Sequence, residues 1–151
     1  MVRHVTITGT RSLSVESELS RIFDSYLRPF ADPHAHFYVG GAAGIDTAAL
    51  DWLADFSQAS LSVVVPCTVA DQPAVAAASI RRWQEDGRLA EVVELGADRL
   101  SAVAYRARNR WMVDSSGFVI GFPRGTDPSS GTWYTINYAA EQGKPRLIAP
   151  V

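Results

Sequence analysis

A layered α/β fold, a mostly parallel sheet with helices on both faces, is predicted by three observations. Short β-branched runs alternate with longer helical patterns from one end of the chain to the other. Two of those runs, Ser62 to Val65 and Phe118 to Ile120, read as apolar throughout, as strands covered on both faces should. Glycine-bearing turns stand where three of the strands give way to helices.

Each element has its own signal. His4 to Thr8 alternates as a strand does. Ser14 to Leu27 sets Val15, Leu19, Ile22, Phe23 and Tyr26 on one helical face, with Ser14 as N-cap and Pro29 as the stop. A second strand runs near His36 to Gly40, followed by a helix over Ile45 to Phe56 and a strand over Leu61 to Val65. After a loop through Asp71, Gln72 and Pro73 come a helix over Ala74 to Glu85, ending near Gly87, and a strand over Glu91 to Leu95. The last third repeats the rhythm: helix Ser101 to Val113, strand Gly117 to Phe122, loop Pro123 to Ser130, helix Thr132 to Gln142, strand Arg146 to Ala149. No linker, repeat or low-complexity segment interrupts it, so residues 1–151 are expected to form a single Rossmann-like domain.

Composition bounds the function. The chain has 151 residues, 47% apolar and 20% charged, with a formal charge of −2. That balance argues against a protein that coats DNA through a general basic excess. Seven arginines fall between Arg81 and Arg110, interleaved with five acidic residues, and most of them are expected on solvated surface. The single cysteine, Cys67, excludes an internal disulfide and is expected to be a buried, inert thiol in a reducing compartment. With no leader-like start and no apolar run long enough to span a bilayer, the expected location is the cytoplasm. His34 and His36 have no acidic partner at metal-ligand spacing, so no metal site is expected.

Three turns carry the chemistry: 8-TGTR-11, 40-GGAAGID-46 and 129-SSGTWYT-135. Each precedes a helix whose first N–H groups lack partners and whose dipole favours an anion. Glycine lets a ligand approach the backbone closely. In a parallel sheet all three turns should meet at one edge, which points to a phosphate-bearing ligand. Ser130 and Thr132 would donate to phosphate oxygens, and Arg11 would add a bidentate charge. Asp46 would repel a phosphate placed directly on it; it either complements its helix dipole or accepts from a sugar hydroxyl or base amine. Trp133 is a candidate for stacking on a base.

The order of these residues resembles the Rossmann-like core of DNA-processing protein A (DprA) and, more broadly, the SLOG superfamily, which joins that core to LOG-type nucleotide hydrolases. The matches are Gly9-Thr10-Arg11, Gly41 to Asp46, Arg108-Asn109, and Ser130-Gly131-Thr132 with Thr135. Leu50 stands where the DprA pattern has histidine. The resemblance implies a pocket for a nucleotide, a nucleotide derivative or nucleic-acid phosphates. Arg11, Gly41, Gly44, Ser130, Gly131 and Thr132 would line the phosphate region, Asp46 and Asn109 would contact sugar or base, and Arg108 would supply charge; Gly9, Thr10, Gly40 and Thr135 complete the expected ligand-binding set. It also implies a homo-oligomer, a dimer, formed through Trp83 to Leu89 or the helix 133-WYTINYAA-140.

LOG-type enzymes cleave the bond between base and sugar with a helix arginine and a glutamate after their glycine turn. Arg108 matches the arginine; Thr135 occupies the glutamate's place. A hydroxyl neither stabilises the cationic sugar nor activates water as a carboxylate does, a loss on the order of two to four powers of ten in rate. Glu141 lies two turns further along. The chain is therefore expected to bind a nucleotide-derived small molecule, or single-stranded nucleic acid, without catalysis and without a cofactor; Arg108 is the one catalytic candidate.

Overall fold

The runs predicted as strands lie side by side in a six-stranded, all-parallel sheet of order β4-β3-β2-β1-β5-β6. This is a computed structural model, which describes residues 2–13 and 18–151. The strands are β1 (Arg3–Gly9), β2 (Ala35–Gly40), β3 (Ser60–Val65), β4 (Glu91–Glu94), β5 (Phe118–Phe122) and β6 (Arg146–Ile148). The helices are α1 (Leu19–Tyr26), α2 (Ile45–Phe56), α3 (Ala74–Glu85), α4 (Ala102–Asp114) and α5 (Gly131–Glu141).

Two of the helices, α2 and α3, match the predicted spans residue for residue. The predicted N-cap Ser14 and its neighbour Val15 lie outside the described residues. Of the stripe assigned to the first helix, Leu19 and Phe23 are buried while Tyr26 is 36% exposed. Leu27, just past the helix, takes the inward place instead.

Helices α1, α2 and α3 cover one face of the sheet and α4 and α5 the other. The first layer is mainly apolar: Phe37, Val39, Leu61, Val63, Ile120 and Phe122 meet Phe23, Ile45, Leu50, Leu53 and Ile80. The second is mixed. Tyr38, Val64 and Met112 pack there, but Thr6 shares a 2.6 Å hydrogen bond with Ser116 inside it. Alternating side chains on β1 and β2 thus send hydrophobes one way and hydroxyls or imidazoles the other.

The site is positioned by topology. β1 is bonded to β2 on one side and to β5 on the other. The chain leaves β1 and β5 towards opposite faces, which opens a crevice beyond their carboxyl ends. Among the described residues no helix is long and apolar enough to cross a membrane.

Candidate functional site

A cavity of about 550 Å³ fills that crevice. Its walls are the end of β1 with its turn, from Ile7 to Ser12; the first turns of α4; and the loop and first turn leading into α5. The volume lies within the range typical of small-molecule sites.

The α5 end is built for an anion. Ser130 caps the helix, its hydroxyl accepting from the Trp133 N–H at 3.2 Å, and Tyr134 N–H bonds the Ser130 carbonyl. The N–H groups of Gly131 and Thr132 have no protein partner among the described residues, and both residues line the cavity. Gly131 leaves that surface bare, with only the Asn109 amide nearby, at 4.0 Å from where a Cβ would stand. A second helix start, the Ser101–Ala102 end of α4, borders the same space. Ser101 caps it by accepting from the Ala104 N–H at 3.1 Å. Two positive helix ends therefore face one hollow.

The floor is polar and buried. Arg108 is only 3% exposed; it donates through Nε to Asn109 Oδ1 at 2.7 Å and through Nη1 to the Val64 carbonyl at 3.2 Å. Asp46, 6% exposed, accepts the Ala42 N–H on Oδ2 at 3.2 Å. Arg108 Nη2, Asp46 Oδ1 and Asn109 Nδ2 have no protein partner among the described residues, and all three residues line the cavity. Burial pushes the Asp46 carboxyl above the usual carboxylate range, against the pull of Arg108, the Ala42 N–H and Arg11. Burial also pulls the Arg108 guanidinium below its ordinary value, with Asp46 opposing. On the wall, Arg11 lies over the Tyr105 ring at 4.1 Å. The lining carries four guanidiniums, from Arg11, Arg106, Arg108 and Arg124, against the one carboxylate of Asp46.

The structure brings Gly9, Thr10, Arg11, Asp46, Arg108, Asn109, Ser130, Gly131 and Thr132 together around the cavity. Expectation and geometry part at the second turn. The Ile45 N–H, which would have faced a phosphate, donates to the Thr10 carbonyl at 3.0 Å, and Asp46 takes the Ala42 N–H. The first N–H of α2 is thus taken by a protein oxygen, and the Asp46 carboxyl occupies its first turn. Gly44, at φ +77°, is glycine because a Cβ would strike the Thr10 and Arg11 backbone. Gly41 packs against Val65 and Ile80, away from the cavity. Gly40 lies under the floor, its missing Cβ making room for Arg108 and Asp46. Thr135 is fully buried and donates to the Gly131 carbonyl at 2.9 Å, behind the site.

Trp133 is also turned from the cavity, its indole N–H bonded to the Gly125 carbonyl at 2.8 Å. The Cys67 thiol is buried and not among the lining residues. Of the alternating arginines, Arg108 points inward, Arg106 stands on the rim, and Arg110 donates to the Tyr134 hydroxyl at 2.7 Å outside the cavity. Sequence reasoning missed Ser101, Tyr105, Arg106 and Arg124 as lining residues. The available signal was the capped start of α4, whose helix must cross the sheet to reach β5. Among the described residues no group of three or more His, Cys, Asp or Glu side chains could hold a metal.

No family model and no curated protein matches the chain. Among solved structures, DNA processing protein A from Helicobacter pylori, in work on its single-stranded DNA binding mode, superposes with a TM-score of 0.72. It is 24% identical, with 97% of this chain and 64% of that chain covered. DprA from Streptococcus pneumoniae gives the same TM-score at 21% identity, covering 97% of this chain and 50% of that one. The chain thus spans about half to two thirds of the length of these proteins, and its fold is a DprA-like Rossmann fold.

Proposed function

We propose that the cavity binds single-stranded nucleic acid, seating one phosphate at the bare N–H groups of α5 with its sugar over the Arg108–Asp46 floor. The observation that carries this is the pairing of an unpartnered helix start with four guanidiniums in one hollow. The likeness in fold to a protein studied for its single-stranded DNA binding supports the same choice. No open aromatic face is evident in the lining, because Arg11 covers the Tyr105 ring. Binding is therefore expected to follow the backbone and tolerate any base order.

A second reading, a free nucleotide or nucleotide-derived small molecule, is favoured by the size of the cavity and by the polar atoms of its floor that have no protein partner among the described residues. Fluorescence anisotropy of a labelled oligothymidylate, titrated at 50 to 300 mM salt as the order of range where counterion release is felt, separates the two. The expected slope of log K against log salt is about −0.7 per phosphate held, so about −2 for three contacts. Arg11→Ala and Arg124→Ala should each weaken binding. Displacement of the strand by micromolar free nucleotide would favour the second reading. Absence of binding by either ligand to the folded protein rules out both.

A further inference from the structure

The cavity's cationic character does not stop at its rim. Arg106, on the rim, stands over the Tyr134 ring at 5.3 Å. One helical turn along α4, Arg110 donates to the hydroxyl of the same tyrosine at 2.7 Å. One turn further, Asp114 accepts from the Tyr138 hydroxyl at 2.7 Å. The α4–α5 seam is thus a ladder of alternating charged and phenolic groups, positive beside the cavity and negative at its far end.

We propose that this seam is the exit path of the strand: the phosphate following the one in the cavity lies along Arg106 and Arg110, and Asp114 ends the path. The proposal rests on the nucleic-acid reading of the cavity. Arg106 and Arg110 are about 6 Å apart along the helix axis, comparable with the spacing of successive phosphates in an extended strand. Tyr134 holds both guanidiniums in place, one by its ring and one by its hydroxyl, so less side-chain freedom is lost on binding than two untethered arginines would lose. Charge complementarity and continuity with the cavity select a polyanionic strand. The carboxylate at the end limits the added footprint to one or two nucleotides by like-charge repulsion.

The test compares a dinucleotide without terminal phosphates, whose single phosphate reaches the cavity alone, with an octanucleotide on the wild type, Arg110→Gln and Asp114→Asn. Arg110→Gln should leave dinucleotide affinity unchanged and weaken the octanucleotide about twofold to fivefold, the worth of one exposed ion pair. Its salt slope for the longer strand should fall by about 0.7. Asp114→Asn should act in the opposite sense, tightening only the octanucleotide. If both variants treat both lengths as the wild type does, the path is wrong and the cavity reading stands. If the wild type binds neither length, both fall together. Polyglutamate competing as well as the octanucleotide would overturn the assignment to nucleic acid in favour of an acidic polypeptide.

Discussion

At the scale of single residues, the site depends most on a group that is absent. Gly40 is the last residue of β2, and a Cβ there would land on Arg108 Nη1 and lie 2.6 Å from Asp46 Oδ2. Its backbone does not need the left-handed region, so the conflict with alanine is one of space alone, and the Arg108 and Asp46 side chains must shift to admit it. Gly40→Ala is expected to push the guanidinium off the Val64 carbonyl. Overpacking of this kind costs about 1–3 kcal/mol, readable as a lower denaturant midpoint. Oligonucleotide affinity should drop by more than about tenfold, a buried charge-assisted contact being worth at least that much. A Gly40→Ala protein that binds as tightly as the wild type would remove the Arg108–Asp46 floor from the site. The glycine was visible in the sequence but its purpose was not, because the side chain that fills its space comes from Arg108, far along the chain.

At the scale of elements, the helices begin and end on groups that the sequence presents unequally. The N-caps Ser101 and Ser130 are local, each accepting from a residue three positions on, although the sequence reading put Ser101 inside its helix and Ser130 at a phosphate. The end of α2 is not local. Its last carbonyls, with two beyond them, are gathered by Arg88, which donates to Leu53, Ala54, Ser57 and Ala59. A cation at a helix carboxyl end also suits the dipole. Sequence reasoning placed most of this arginine run on solvated surface, yet Arg88 is a half-buried clasp between α2, β3 and the turn after α3. Arg88→Ala should destabilise by about 1–3 kcal/mol as those carbonyls lose their donor, measured by chemical denaturation. Ligand affinity should not change, because the clasp sits at the end of α2 remote from the cavity. Reduced affinity with unchanged stability would contradict that role.

At the scale of the whole molecule, the two faces of the sheet differ in their response to pH. The buried cluster on the α1–α3 face is built from aliphatic and aromatic side chains. The α4–α5 face carries His36, stacked on His4 at 5.4 Å between ring centroids and bonded to Ser62 at 2.6 Å. Burial, and then His4, hold the His36 ring below the ordinary histidine value, with Glu91 opposing. The folded protein therefore binds that proton less readily than the unfolded chain. Stability from this group is present above the unfolded value of about 6.5 and is lost as pH falls through it towards the folded value. The thermal midpoint should rise with pH across that window, and His36→Gln should flatten the rise. An identical slope in the variant would assign the titration elsewhere.

Signals in the chain by itself were enough to read the alternation of strands and helices, the parallel sheet and some of the residues around the cavity. Those signals are local: apolar period, a cap three residues away, a glycine before a helix. Only the tertiary structure decided which helix starts stay open. α2, by its glycines the leading candidate, gives its first N–H to the Thr10 carbonyl and carries the Asp46 carboxyl in its first turn, whereas α4, with no glycine at its start, opens onto the cavity. The physical reason is that a free N–H is defined by what lies opposite it, and in a crossover fold the opposite group belongs to a distant part of the chain.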